Sequence, residues 1–122
     1  MINNQTPEHL KVSCKESTYL IDMSHISHMH ASSNYSFIYY DQSYVLVSKT
    51  LSYFHDQLRE DKFIRPHRSY YVNIDHIINI DYSNRELTLR SGEVIPISRS
   101  RRKMIKEFFH SKILIETRKV NT

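Results

Sequence analysis

The segment FIRPHRSYYVNIDHI, residues 63–77, combines reactive side chains with residues typical of a protein core. Its first part, FIRPHRS, contains the polar side chains Arg65, His67, Arg68 and Ser69. Serine and histidine occur in hydrolytic triads, whereas paired arginines bind phosphates and base edges. The chain has no nucleophile-elbow pattern, and its single glycine cannot build a phosphate-cradling loop. The segment therefore favours an anion-binding surface, and we expect no enzymatic activity.

Two further segments contain residue types that proteins use to bind DNA. SSNYS, residues 32–36, is a small polar loop that carries Asn34 and Tyr35. ISRSRRK, residues 97–103, is an arginine-rich junction between a predicted strand and a predicted helix. The arginine fork fits guanine, the asparagine amide fits adenine, and serine and tyrosine commonly contact phosphate oxygens. A helix N-terminus at Ser98 would add partial positive charge for a phosphate.

Charge is distributed unevenly along the 122 residues, whose formal net charge is +4. Residues 1–61 contain 4 Lys and Arg against 7 Asp and Glu, and residues 62–122 contain 13 against 6. A basic half attracts polyanions, nucleic acid above all. It would also suit an acidic protein, so a protein–protein interaction module that docks an acidic partner is the alternative function.

The histidines His25, His28 and His30 lie close together in the sequence. In a strand, His28 and His30 share one face and could bind Zn²⁺ together. No third ligand is identifiable, so we predict neither a metal nor a cofactor, and a zinc-sensing role remains open. Cys14 alternates with Val12 in a predicted strand, which favours a structural role.

The chain shows no sign of export or of membrane insertion. A single cysteine cannot form an internal disulfide, which suits a reducing compartment. The N-terminal residues MINNQTPEHL lack the build of a signal peptide, and no apolar run is long enough to span a bilayer. We expect a cytoplasmic protein without a membrane partner.

Short segments with alternating polarity, rich in β-branched and aromatic residues, predict strands in most of the chain. These segments are KVSCK, TYLIDM, HISHMHA, YSFIYY, SYVLVS, HIINIDY, ELTLR and VIPIS. They predict one mainly β domain at residues 11–115. A polar leader or linker remnant is expected at 1–10 and a frayed tail at 116–122.

Two helices are predicted, one internal and one C-terminal. Leu51, Phe54 and Leu58 recur at helical spacing and predict a short amphipathic helix. Ser98 is the predicted N-cap of the C-terminal helix. The predicted apolar face of that helix consists of Met104, Ile105, Phe108 and Phe109. Gly92 is expected in a tight turn with positive φ.

Two sequence blocks resemble the LytTR family of bacterial DNA-binding domains, which usually form the output half of two-component response regulators. FIRPHRSYYVN matches the pattern F-x-R-x-H-R-S-Y-x-V-N, and GEVIPISR matches G-x-x-I-P-[IV]-S-R. The resemblance covers roughly residues 11–110. It implies an elongated stack of antiparallel β-sheets, with one short internal helix and a C-terminal helix in this chain.

The resemblance also implies a way of binding double-stranded DNA, in which loops at the sheet edges enter successive major grooves. The base-reading residues expected from it are Asn34, Arg68 and Arg99. The expected phosphate contacts are Tyr35, Ser36, Ser69, Arg101 and Arg102. We expect two copies on direct repeats, with a homodimer on DNA as one arrangement. The function would be transcription regulation, as a stand-alone regulator or as the output domain of a response regulator.

Three further expectations concern individual residues. His30 stands where family members commonly have an acidic residue. Tyr70, Val72 and Ile74 alternate and should form the core face of a strand. His67 is expected to make a structural hydrogen bond to a neighbouring loop.

Overall fold

The computed structural model describes the backbone of residues 9–120 and the side chains of residues 9–111. Within these residues the chain forms ten β-strands, three short 3₁₀ helices and one α-helix. The strands are β1 (His9–Cys14), β2 (Ser17–Asp22), β3 (Ile26–Ser32), β4 (Tyr35–Tyr40), β5 (Ser43–Val47), β6 (Phe63–His67), β7 (Tyr70–Asn73), β8 (Ile77–Asp81), β9 (Glu86–Leu89) and β10 (Val94–Pro96). The helices are 3₁₀ at Met23–His25, Leu51–Gln57 and Ile74–His76, and α1 at Arg99–Val120.

The strands form three antiparallel sheets, which confirms the predicted mainly β fold. β1 and β2 make a hairpin, and β10, β9 and β8 make a three-stranded sheet. The central sheet has five strands in the order β5-β4-β3-β7-β6. Since β3 pairs with both β4 and β7, it joins the two halves of this sheet.

At β7 the central sheet contacts a core on each face, and neighbouring residues of the strand point into different cores. Tyr71 packs with the hairpin and the 3₁₀ helix Leu51–Gln57 in the first core. Val72, the next residue, packs with β9, β10 and α1 in the second core, against which Tyr70 is also packed. The predicted core face of this strand is therefore confirmed for Tyr70 and Val72. It was wrong for Ile74, which lies beyond β7 in the 3₁₀ helix Ile74–His76 and is only half-buried.

The internal helix occurs where it was predicted, as a 3₁₀ helix whose Leu51 and Phe54 are buried. α1 begins after Ser98, whose carbonyl oxygen accepts a hydrogen bond from the Arg101 amide at 3.1 Å. Ile105 is buried in the second core. The predicted apolar face was wrong at Met104, which is 54% exposed.

Both ends of the predicted domain lie near the limits of the described residues. The predicted leader, 1–10, lies outside them except for His9 and Leu10, which belong to β1. Leu10 is fully buried in the first core, and Cys14 packs against the same core. The backbone of α1 is described to Val120, but the side chains of the predicted tail, 116–122, lie outside the described residues.

Asn73, the last residue of the first sequence block, makes three hydrogen bonds through its side chain. The side chain is buried, and its Nδ2 donates to the carbonyl oxygens of Met23 at 3.2 Å and Ile26 at 2.8 Å. Its Oδ1 accepts a hydrogen bond from the Asp75 amide at 2.9 Å. One amide group thus fixes the end of β7 to the start of β3 and begins the next 3₁₀ helix.

Turn geometry follows the residues available in this glycine-poor chain. Gly92 has a φ of +96°, which confirms the predicted positive φ. The β4–β5 turn has positive φ at both central residues, Asp41 and Gln42, as two-residue hairpins prefer. In the β3–β4 turn, Ser33 has a φ of +59° and precedes Asn34. These short turns hold the strand ends close to the sheet.

Candidate nucleic-acid interface

Three separate segments meet at one end of the molecule. The pairing of β3 with β7 places the β3–β4 turn beside the β6–β7 turn, and the Ala31 amide donates to the Ser69 carbonyl oxygen at 2.9 Å. The Ser98 amide donates to the Pro66 carbonyl oxygen at 2.9 Å, which brings the start of α1 to the same place. We call this end, formed by residues 33–35, 67–69 and 98–102, the turn surface.

The β6–β7 turn is held rigidly from several sides. The Ser69 amide donates to Nδ1 of His67 at 3.1 Å, and Nη2 of Arg65 donates to the Arg68 carbonyl oxygen at 2.6 Å. Arg68 itself is exposed, whereas Ser69 is half-buried. The expected structural hydrogen bond of His67 is present, but its partner lies in the same turn and not in a neighbouring loop.

The environment of His67 favours its neutral form. Partial burial lowers the pKa of His67 below its usual value, and the positive charges of Arg68 and Arg101 lower that pKa further. Only a ring whose Nδ1 carries no proton can accept the hydrogen bond from Ser69. The low pKa and the turn geometry therefore support each other.

The β3–β4 turn presents two of its predicted DNA contacts and buries the third. Asn34 is exposed, and Tyr35 is 47% exposed. Ser36 is fully buried, and its hydroxyl donates to the Lys49 carbonyl oxygen at 2.6 Å. This hydrogen bond gives Ser36 an internal role, so its side chain is not available to a phosphate.

Lys49 is an exposed cation next to the turn surface that the sequence analysis did not name. Its backbone lies beside Ser36, and its exposed Nζ is 4.8 Å from the centre of the Tyr53 ring. It follows β5, which pairs with β4 so that Val47 lies opposite Ser36. Only this register brings Lys49 next to the turn surface, and the residue carries no motif that could have indicated it.

The arginines at the start of α1 differ in how strongly the protein holds them. Arg99 is exposed. Arg101 is half-buried, and its Nη1 donates to the Arg65 carbonyl oxygen at 2.9 Å. Arg102 is also half-buried, and its Nε donates to the Tyr82 carbonyl oxygen at 2.9 Å. A guanidinium has five N–H donors, so each anchored arginine keeps others that could reach a phosphate.

Arg65 was named in the sequence analysis only as one of two paired arginines, and its hydrogen bonds give it a further, structural role. It accepts a hydrogen bond from Arg101 through its backbone and donates one to the Arg68 carbonyl oxygen through its side chain. Its guanidinium carbon lies 4.9 Å from the centre of the Tyr71 ring. Arg65 therefore connects the β6–β7 turn to the first turn of α1.

The positive charge of the turn surface is not neutralised by ion pairs within the described part of the chain. The ion pairs there are His25–Asp41, Arg59–Asp61 and Lys62–Asp75. None of them includes a residue of the turn surface. Its arginines can therefore act on an external polyanion at full charge.

The histidines are engaged in ring stacking on the central sheet. His28 lies 4.4 Å from the Tyr39 ring and His30 lies 4.4 Å from the Tyr70 ring, measured between ring centres. Burial, with smaller contributions from the charges of His30 and His76, lowers the pKa of His28 to about 4. His25 instead contacts Asp41. Among the described residues, no three His, Cys, Asp or Glu side chains are placed to hold a metal ion.

Comparison with known proteins now identifies the family. The family model of the LytTr DNA-binding domain matches residues 16–110. The chain belongs to the LytTR family. The resemblance predicted from the two sequence blocks is therefore confirmed. LytTR domains are a family of DNA-binding domains and not of enzymes.

Two known proteins are similar to this LytTR domain, one in sequence and one in fold. Sensory transduction protein LytT of Bacillus subtilis (strain 168) is 38% identical over 74 residues, which cover 58% of this chain but only 30% of LytT. The LytTr DNA-binding domain of a response regulator from Bacillus cereus superposes with a TM-score of 0.72 at 23% sequence identity. That alignment covers 84% of this chain and 96% of the other, and it shows a shared fold. In the described part of the LytTR domain, no helix has the length and apolarity to cross a membrane.

Proposed function

We propose that this LytTR domain binds specific sequences of double-stranded DNA through the turn surface and thereby regulates transcription. One observation carries the proposal: Asn34, Arg68 and Arg99 lie on three separate segments, yet all are exposed at the same end of the fold. Asparagine and arginine are the side chains that best read adenine and guanine. Rigid turns would present them with little loss of conformational entropy on binding.

The proposed role of each residue depends on how exposed its side chain is and on whether hydrogen bonds to the protein hold that side chain in place. Asn34, Arg68 and Arg99 would read bases in the major groove. The proposed phosphate contacts are Tyr35, Ser69, Arg101 and Arg102. Ser36 is omitted because its hydroxyl is buried and engaged with the Lys49 carbonyl oxygen. Arg101 and Arg102 suit phosphates because one N–H of each is already committed to the protein, which fixes the guanidinium in place.

The proposal also covers the arrangement of the domain on DNA and its role in the cell. Two copies of the domain would bind direct repeats, with a homodimer on DNA as one arrangement. The name of the relative LytT, a sensory transduction protein, supports a role in signal-controlled transcription. We place the protein in the cytoplasm, where it meets DNA, as a stand-alone regulator or as the output domain of a two-component response regulator.

Selection of bound duplexes from a randomised DNA pool at near-physiological salt tests the proposal. Enrichment of a repeated motif is the expected result, and Arg68→Ala should lose it. Arg90→Ala is the matched control, because Arg90 is exposed in the β9–β10 turn, which β10 separates from the turn surface. No enrichment with the wild-type chain, or equal enrichment with Arg68→Ala, would contradict specific readout by this surface.

The alternative, docking of an acidic protein partner, has no support from the family match. The two functions differ in how binding depends on salt. DNA binding releases condensed counterions, so the logarithm of the affinity should fall steeply with the logarithm of the salt concentration. A shallow slope for the same surface would favour a protein partner.

A further inference from the structure

A half-open groove of about 630 Å³ lies next to the turn surface. It is bounded by residues that follow the 3₁₀ helix Leu51–Gln57, by β6 and β7, and by the first turns of α1. The buried apolar residues that line it are Leu58, Phe63, Tyr71 and Ile105. Met104, which is 54% exposed, also lines the groove. The volume is within the range of small-molecule sites.

The charged residues of the groove are mainly cationic. Arg59, Arg65 and Arg101 line it, together with a single carboxylate, Glu60. Arg59 is paired with Asp61 at 2.8 Å. Arg65 has no carboxylate partner, and its Nε lies shielded from solvent without a hydrogen-bond partner among the described residues. A buried donor without a partner is costly, so an added acceptor here would be favourable.

We propose that this groove binds a small organic anion with an apolar body, such as an aryl or alkyl carboxylate or sulfonate. The apolar body would pack on Leu58, Phe63 and Met104, and the anionic group would bind at Arg65 and Arg101. A neutral compound of the same shape would lose the charge-assisted hydrogen bonds. A purely polar anion such as phosphate would leave the apolar walls in contact with water.

Occupancy of the groove would also change DNA binding, a consequence that rests on the function proposed above. Arg65 donates to the Arg68 carbonyl oxygen and accepts from Arg101, so it joins the two arginine-bearing segments of the turn surface. An anion bound at Nε would draw the Arg65 guanidinium towards the groove and so strain the hydrogen bond from Nη2 to the Arg68 carbonyl oxygen. The ligand would therefore loosen the β6–β7 turn and weaken DNA binding.

Fluorescence titration without DNA tests the site itself. The probe is 1-anilinonaphthalene-8-sulfonate, and its neutral counterpart is N-phenyl-1-naphthylamine. We expect saturable binding of one anion per chain, with the neutral compound at least about tenfold weaker. Met104→Trp fills the exposed rim and should weaken binding of the anion at least about tenfold, as should Arg65→Met. Leu46→Trp, at an exposed apolar position of the central sheet, is the control and should change nothing.

Several results would overturn the site. They are equal binding of the neutral compound, non-saturable binding, or a Met104→Trp variant that binds like the wild type. Because this titration contains no DNA, its outcome is independent of whether the turn surface binds DNA.

A second titration, with the selected duplex, tests the coupling. Saturating anion should weaken DNA binding by about fivefold or more in the wild type and leave Met104→Trp unaffected. An unchanged affinity with the groove occupied would overturn the coupling. Equal weakening in Met104→Trp would overturn it too, because the anion would then compete directly at the turn surface. If the wild type binds no duplex at all, the proposed function fails and the fluorescence result still stands.

Discussion

Acidification should destabilise this protein through one buried histidine. His28 is only 4% exposed, its ring is stacked on Tyr39, and its Nδ1 lies 2.9 Å from the Ser27 hydroxyl. Burial, with smaller contributions from His30 and His76, lowers its pKa from 6.5 to about 4. The unfolded chain therefore binds a proton at a higher pH than the folded chain does.

The sign and size of the effect follow from these two pKa values. His28 in its neutral form contributes full stability above pH 6.5, and this contribution is lost as the pH falls towards 4. The difference of about 2.5 between the two pKa values corresponds to at most about 3–4 kcal/mol. Between pH 7 and pH 5, linkage gives a loss of about 2 kcal/mol.

Urea unfolding followed by circular dichroism at several pH values measures this loss. His28→Phe keeps a flat ring against Tyr39 and removes the titrating group, so its free energy of unfolding should fall about 2 kcal/mol less than that of the wild type between pH 7 and pH 5. Ile38→Val, a non-titrating core change in the neighbouring strand, is the control and should be destabilised equally at all pH values. If His28→Phe loses as much stability on acidification as the wild type, the reasoning about His28 is refuted.

Three further predictions concern stability and DNA binding. Asn73→Ala removes three hydrogen bonds and should lower the free energy of unfolding by about 3 kcal/mol, with exposed Asn79→Ala nearly neutral in the same urea assay. Arg68→Ala or Arg99→Ala should cost about 1–3 kcal/mol of discrimination at one base position, and unchanged base preferences in the pool selection would remove both from readout. Arg102→Ala should weaken binding to all duplexes about equally and flatten the salt slope by about one, whereas a loss confined to one sequence would contradict a phosphate contact.

Much of the fold was predictable because strands that face a core repeat with period two. The β1–β2 hairpin and β3, β4, β5, β8, β9 and β10 occur where alternation indicated them. Two deviations have physical causes. Tyr71 is buried although it alternates with Tyr70 and Val72, because the central sheet has a core on each face. Met104 has helical spacing with Phe108, but it lies at the rim of a groove and not over a core.

The sequence analysis named every residue that is proposed to contact DNA, and these contacts stay predictions. Ser36 could have been assigned correctly, because it is two residues before Ile38 in β4 and must share its buried face. The hydrogen bonds of Arg65 and the position of Lys49 were beyond sequence reasoning. Their positions depend on backbone carbonyl oxygens and on strand register, which leave no trace in residue type.

We propose that this LytTR domain meets DNA through the turn surface. Amide chemical-shift mapping of the ¹⁵N-labelled protein with a selected duplex at near-physiological salt tests that claim most directly. We expect the largest changes to cluster at residues 33–35, 67–69 and 98–102. The proposal would be contradicted by changes centred on the β1–β2 hairpin or on the Asp41–Gln42 turn, with the turn surface unaffected.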